Sequence, residues 1–237
     1  MNITNTRKIA ACAVMVALLI AVQYAFSMVA GVELVTVFVL CFCYVYGIYC
    51  GAMTATAFSL MRCLIFGFTP SVIVLYLIYY NVFAIVFGLM GKCRLPKCVP
   101  PILLVILAFL TAFFAIKGVP ISVLFQQRLR IMLWVLFGII VALLIFNIFL
   151  LVKNKGPKGQ EITGVTTIAV FLTMMFTILD DVITPIFSGF DVDAAIGYVY
   201  TGFLAMIPQM ICVSISVLLL FYPIKKIFMQ TSATVAA

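Results

Sequence analysis

Charged side chains inside apolar segments are the residues of this chain best placed to do chemistry. Arg62 lies within the apolar run 33–68, and the pair Asp180-Asp181 lies within the run 163–187. An ion inside a membrane costs about 2.5–3.5 kcal/mol by insertion scales, so it normally faces a partner or a hydrated cavity. Together with Glu33, these residues predict an outer charge cluster. It forms either an ion pair that locks the helices or a ligand cavity, and the two interpretations are compatible.

Uncharged polar groups follow deeper in the apolar segments. Tyr80 and Asn81 are adjacent in one segment, and Gln209 follows Pro208, which would kink another. Each of these side chains alone is more typical of a hydrogen bond between helices than of a ligand contact. Because each is a polar group in an otherwise apolar segment, we include all three as candidate substrate contacts.

Motifs for catalysis, cofactors or metal binding are missing from the sequence. The chain has no histidine, and six of its eight cysteines lie in apolar runs, where cysteine usually serves as a small hydrophobe. The stretch Gly88–Lys92 has the wrong spacing for a phosphate-binding loop. We therefore predict no catalytic residue, no cofactor and no metal site, and we expect that the chain is not an enzyme and does not hydrolyse ATP itself.

The composition requires lipid as a solvent. Of the 237 residues, 67% are hydrophobic and 8% are charged, with a mean hydropathy of +1.37. Soluble domains carry about 25% charged residues. We predict an all-α, polytopic helix bundle in the cell membrane that forms a single integral membrane domain over residues 1–237.

Apolar runs of spanning length divide the chain into about eight predicted transmembrane helices. They are residues 9–31, two helices within 33–68 with a break near Gly47 to Gly51, then 72–91, 99–116, 131–152, 163–187 and 196–223.

The charges support this count. With the N-terminus inside, alternation places 10 of the 14 Lys and Arg residues inside and three outside, with Arg62 within a span. Most acidic residues fall on the outer side. Both termini are therefore predicted to be cytoplasmic. The net charge of +8 is explained by these orienting clusters, so no nucleic-acid partner is expected.

A stripe of small residues marks the first predicted helix. Ala13, Ala17, Ala21 and Ala25 follow one another at i+4 spacing. Helices in lipid associate largely by close backbone approach over small residues. The stripe predicts either packing inside the bundle or a docking face for another membrane subunit, and both interpretations stay open.

Several stretches in this order resemble the substrate-binding (S) components of the energy-coupling factor (ECF) transporters. They are the alanine stripe, Gly31-Val-Glu33-Leu-Val, Leu64-Ile-Phe-Gly67-Phe, Thr177-Ile-Leu-Asp-Asp-Val-Ile-Thr-Pro185, Gly202-Phe-Leu-Ala-Met-Ile-Pro-Gln209 and Tyr222-Pro-Ile-Lys-Lys226.

The resemblance covers an S-component-like core, residues 7–91 and 163–226. That family usually has six spans, so the resemblance implies that residues 99–152 are an inserted helix pair. It also implies capture of a vitamin or related micronutrient from the outer face. The resemblance further implies that the alanine-striped helix docks onto a transmembrane coupling subunit. That subunit would be driven by two ATPase subunits. Two alternatives stay open: a small membrane enzyme or accessory protein that uses Asp180 and Asp181, and a stand-alone secondary carrier.

Overall fold

The structure is a computed structural model, and it describes residues 3–27, 34–93, 99–117, 123–153 and 156–236. Within these ranges the chain forms seven helices and no strand. They are α1 (Ile3–Phe26), α2 (Leu34–Phe66), α3 (Pro70–Lys92), α4 (Val99–Lys117), α5 (Val123–Lys153), α6 (Pro157–Ser188) and α7 (Val192–Ala236). All seven contain a segment long and apolar enough to cross a membrane. The all-α prediction is confirmed, and the helices are compatible with a multi-pass membrane protein.

The predicted count of eight spans is not confirmed, because region 33–68 is the single element α2. This helix is nevertheless interrupted at Gly47, whose φ of 82° and ψ of −179° are not helical. A Cβ at Gly51 would lie 2.8 Å from the Sγ of Cys43. In a straight helix, two residues eight positions apart would be separated by about 12 Å along the axis. The chain therefore doubles back at Gly47, within the range where the sequence predicted a break.

The two arms of α2, before and after Gly47, have different lengths. Residues 34–46 extend over about 20 Å at 1.5 Å per residue, which is shorter than the hydrocarbon core of about 30 Å. Residues 48–66 form a longer second arm. By length and hydropathy, α2 as a whole is one candidate span, whereas the sequence predicted two spans in this region.

Glycines of α3 allow close packing against the turn at Gly47. A Cβ at Gly88 would lie 2.6 Å from the main-chain nitrogen of Ile48, and a Cβ at Gly91 would overlap the main-chain oxygen of Tyr44. At Gly47 itself the positive φ favours glycine, since a Cβ is strained in this region. The pair Gly88 and Gly91, which has the wrong spacing for a phosphate loop, is thus a helix-packing surface.

The chain divides into two compact units. Unit 1 comprises Met1–Arg94 and Ile168–Ala237, and unit 2 comprises Leu95–Thr167. The core boundaries taken from the sequence, 7–91 and 163–226, fall within unit 1 except for residues 163–167. The segment 99–152 falls within unit 2, where the Asn147 amide donates a hydrogen bond to the Thr167 hydroxyl.

Two basic residues of unit 1, Lys92 and Lys225, lie at the same end as the Gly47 turn. The Cε of Lys92 is 4.0 Å from the Cβ position of Gly47. The Nζ of Lys225 lies over the ring of Tyr44, 4.7 Å from its centroid. Arg62 lies near the end of α2 that is remote from Gly47. Asp180 lies near the C-terminal end of α6. The charges of unit 1 are thus separated along its length.

Candidate functional site

Asp180 is held by two hydroxyl donors at the end of α6. The Thr184 hydroxyl donates to Oδ1 at 2.6 Å, and the Tyr198 hydroxyl of α7 donates to Oδ2 at 2.9 Å. Thr184 is one helical turn beyond Asp180, so both residues lie on one face of α6. Each carboxylate oxygen of Asp180 therefore accepts a hydrogen bond, and one of the two connects α6 to α7.

Asp181 is in the opposite situation although it is the next residue. Asp181 is 6% exposed, and neither of its carboxylate oxygens has a hydrogen-bond partner among the residues that the structure describes. A Cβ at Gly202 would overlap this carboxylate, so the group packs against the backbone of α7. Pro185 lies four residues later inside α6 and has no N–H to donate to the main-chain carbonyl of Asp181. Both carboxylate oxygens of Asp181 are thus buried without a donor, and its main-chain carbonyl lacks the usual i+4 donor.

Gln209 continues the polar contact between α6 and α7. The hydroxyl of Thr177 lies 3.1 Å from Gln209 Oε1 and can donate to it. Thr177 precedes Asp181 by one helical turn, so the two residues lie on neighbouring parts of one face. The structure thus brings Asp180, Asp181 and Gln209 together along a single α6–α7 contact, which we call the polar seam.

Arg62 is bound by aromatic rings instead of an acid. Its Cζ lies 4.0 Å from the centroid of the Tyr76 ring and 5.6 Å from that of Phe66. The Nε of Arg62 is buried without a hydrogen-bond partner. In the part of the chain that the structure describes, Arg62 makes no ion pair with Asp180 or Asp181. Among the described residues, the charge cluster therefore contains no Arg62–Asp ion pair that would lock the helices.

Tyr80 and Asn81 have roles in packing α3. The Tyr80 ring is buried and lies 5.3 Å from that of Tyr76, which in turn lies 5.7 Å from Phe176 of α6. The amide of Asn81 donates to the carbonyl of Leu77 at 2.8 Å and to Thr56 of α2 at 3.2 Å. Tyr80 joins the aromatic cluster beside Arg62, whereas Asn81 makes a hydrogen bond between helices.

The alanine stripe faces outward. Ala13, Ala17, Ala21 and Ala25 are all exposed. The buried face of α1 consists of other residues, namely Cys12, Met15, Val16 and Leu19. Packing of the stripe inside the bundle is therefore not what this structure shows. Glu33, predicted at the rim of the cavity, lies outside the described residues.

Within the described ranges, no group of three or more His, Cys, Asp or Glu side chains is arranged to hold a metal ion.

Two buried cysteines make contacts between helices. The Sγ of Cys12 lies 3.7 Å from the carbonyl of Cys50, and the Sγ of Cys41 lies 3.8 Å from that of Phe221. These are weak thiol contacts between helices of the kind expected for a small, slightly polar core residue.

No family model, no curated protein and no solved structure matches the chain. The function must therefore be argued from the residues.

Two partners in the seam were not assigned from the sequence. Tyr198 binds Asp180, and Gly202 accommodates Asp181, but neither type of residue signals such a role in an apolar helix. The spacing of Thr177, Asp181, Asp180 and Thr184 did contain a signal, because i+4 pairs share one face of a helix. Which side chains face them across the seam depends on how α7 packs.

Proposed function

We propose that this chain is the substrate-capture subunit of an ECF-type importer in the cell membrane. It binds a vitamin or related micronutrient from the outer face and docks onto a transmembrane coupling subunit driven by two ATPase subunits. The observation that carries the proposal is the exposed alanine stripe of α1. An apolar helix that buries a different face and leaves four small residues outward offers a surface for close helix packing.

The polar seam and Arg62 support substrate capture at the outer end. Arg62 and Asp181 each keep atoms without a partner in apolar surroundings, where unpaired polar groups are costly. A bound ligand that satisfies such atoms would compensate this cost. In this proposal Arg62, Asp180, Asp181 and Gln209 contribute directly. Tyr80 supports the site through its contact with Tyr76.

The proposal includes eight crossings, with both termini cytoplasmic. Support comes from the reversal of the chain at Gly47, which turns α2 into a short hairpin. It also comes from the positions of Lys92 and Lys225 at the end of unit 1 where that turn lies. Placing this end in the cytoplasm agrees with the positive-inside rule.

A stand-alone secondary carrier is the second candidate. The unpartnered carboxylate of Asp181 and the prolines within α6 and α7 favour it, since carriers often bind ions where helices are interrupted. The alternative of an enzyme using both Asp180 and Asp181 has less support, because Asp180 already accepts two hydrogen bonds.

One experiment separates these functions. The chain is purified from its source cells in mild detergent, and any retained small molecule is identified by mass spectrometry. It is then reconstituted in liposomes with that molecule. A capture subunit should bind the molecule but accumulate it only when the coupling subunit and ATPases are added. Accumulation by the chain alone under an ion gradient would establish the carrier instead.

A further inference from the structure

We propose that Asp181 binds a desolvated monovalent cation. An inorganic ion such as sodium, or the ammonium group of a bound substrate, can supply the same chemistry. The inference concerns the chain alone, and it holds whether or not the chain delivers a substrate to a coupling subunit.

Uncompensated charge is the first argument. Asp181 is 6% exposed and both of its carboxylate oxygens are buried, and removing an ion from water carries a penalty of several kcal/mol. No described side chain donates a hydrogen bond to it. Its neighbour Asp180 is a second acid, and among the described residues Arg62, which lies over the ring of Tyr76, makes no ion pair with Asp181. An ionised Asp181 therefore needs a positive charge from outside the described residues.

The chemistry of the available atoms is the second argument. Asp181 presents two carboxylate oxygens, and Pro185 deprives its main-chain carbonyl of the usual helical donor. Oxygen atoms are the ligands preferred by hard cations. One free carboxylate matches a single positive charge. The absence of any group of three His, Cys, Asp or Glu side chains among the described residues gives no support to a multivalent metal site.

The contact with α7 is the third argument. The Asp181 carboxylate occupies the space that a side chain at Gly202 would take. Glycine at this position thus allows the charged group to lie against the backbone of α7. On the same helix, a Cβ at Gly197 would meet nothing within 4 Å. Gly197 is therefore a matched control for changes at Gly202.

The test measures thermal stability of the purified chain in detergent at constant ionic strength. Sodium chloride, potassium chloride or methylammonium chloride replaces N-methylglucamine chloride step by step. A ligand that binds only the folded state raises the melting temperature as its concentration increases. We expect a saturable increase with at least one small cation. A response to sodium or potassium identifies an inorganic ion, and a response to methylammonium alone identifies a substrate ammonium group.

Variants connect the effect to Asp181. Asp181→Asn should weaken the apparent cation affinity by at least about tenfold, because it removes the charge from a desolvated pair. Gly202→Ala should lose the cation response, and Gly197→Ala should retain it. If Asp181→Asn does not fold, Asp181→Ala and direct binding of radioactive sodium or methylammonium to the wild-type chain supply the same comparison.

Two results would overturn the proposal. The first is a wild-type melting temperature that is the same in every small cation and in N-methylglucamine, with no radioactive cation bound. That result would mean that Asp181 is held as the neutral acid. The second is an Asp181→Asn variant that keeps the wild-type affinity. Neither measurement involves a coupling subunit, so failure here is distinct from failure of the proposed importer function.

Discussion

The guanidinium of Arg62 lies over the ring of Tyr76 on the neighbouring helix α3, with 4.0 Å between Cζ and the ring centroid. A cation over an aromatic face is stabilised by the ring quadrupole, by about 0.5–2 kcal/mol depending on desolvation. This contact connects the second arm of α2 to α3. It also holds the charge of Arg62 without neutralising it, so the guanidinium can still attract an anionic group.

The Arg62–Tyr76 contact should depend on the aromatic ring. We expect Tyr76→Leu to lower the free energy of unfolding by about 1 kcal/mol or more, and Tyr76→Phe to lower it less. Thermal unfolding in detergent measures both. Phe66→Leu is the control, because the Phe66 ring lies farther from Arg62, at 5.6 Å. Equal losses for Tyr76→Phe and Tyr76→Leu would show that the hydroxyl, not the ring, carries the stability.

The hydrogen bond from Tyr198 to Asp180 should stabilise the polar seam. Tyr198→Phe removes one of the two donors and should cost about 1–3 kcal/mol, because a partly buried carboxylate oxygen loses its partner. Tyr200→Phe is the matched control, since Tyr200 is 39% exposed on the same helix. The melting temperatures of the two variants are compared, and Tyr198→Phe should have the lower one. A Tyr200→Phe loss as large as that of Tyr198→Phe would contradict the assignment.

The glycines of α3 should be required for packing against α2. Gly88→Ala and Gly91→Ala should each destabilise the fold by about 1–3 kcal/mol through overpacking, because the added Cβ would meet main-chain atoms of Ile48 and Tyr44. Gly197→Ala has open space and should be close to neutral. The folded yield and melting temperature report the difference. Normal stability of both α3 variants would mean that the approach of α3 to the turn is looser.

The alanine stripe should matter only to a partner. Ala17→Leu should abolish transport by the reconstituted importer and binding of the coupling subunit, because a larger side chain separates the two backbones. The melting temperature and ligand affinity of the isolated chain should not change, since Ala17 is exposed. Ala57→Leu, at an exposed alanine of α2, should leave transport intact. Unfolding of the isolated Ala17→Leu protein would place the stripe in internal packing.

Topology depends on whether α2 crosses the membrane once or twice. With two crossings, a reporter fused after Lys158 should be cytoplasmic and one fused after Gly118 should be external. With a single crossing and a cytoplasmic N-terminus, the reporter after Lys158 would be external and the reporter after Gly118 would be cytoplasmic. Reporter fusions with activities specific to each compartment read this directly. An external signal at Lys158 would exclude the eight-crossing arrangement.

Much of the helical architecture could be predicted from the sequence. Long apolar runs must become helices in lipid, because no water is present to satisfy exposed backbone groups. The break at Gly47 was expected near Gly47 to Gly51, since glycine tolerates the backbone geometry of a sharp turn. The first arm, however, was expected as a full span, and its length depends on where the chain turns.

Only the tertiary structure shows which residues of α7 contact Asp180 and Asp181 of α6. Asp180 and Asp181 are identical residues in adjacent positions, and both were predicted to border one cavity. Successive residues point about 100° apart around a helix, so the first meets the hydroxyl of Tyr198 and the second meets the bare backbone of Gly202. Sequence alone determined that charges enter the membrane, and the packing of α7 determined which of them is left without a partner.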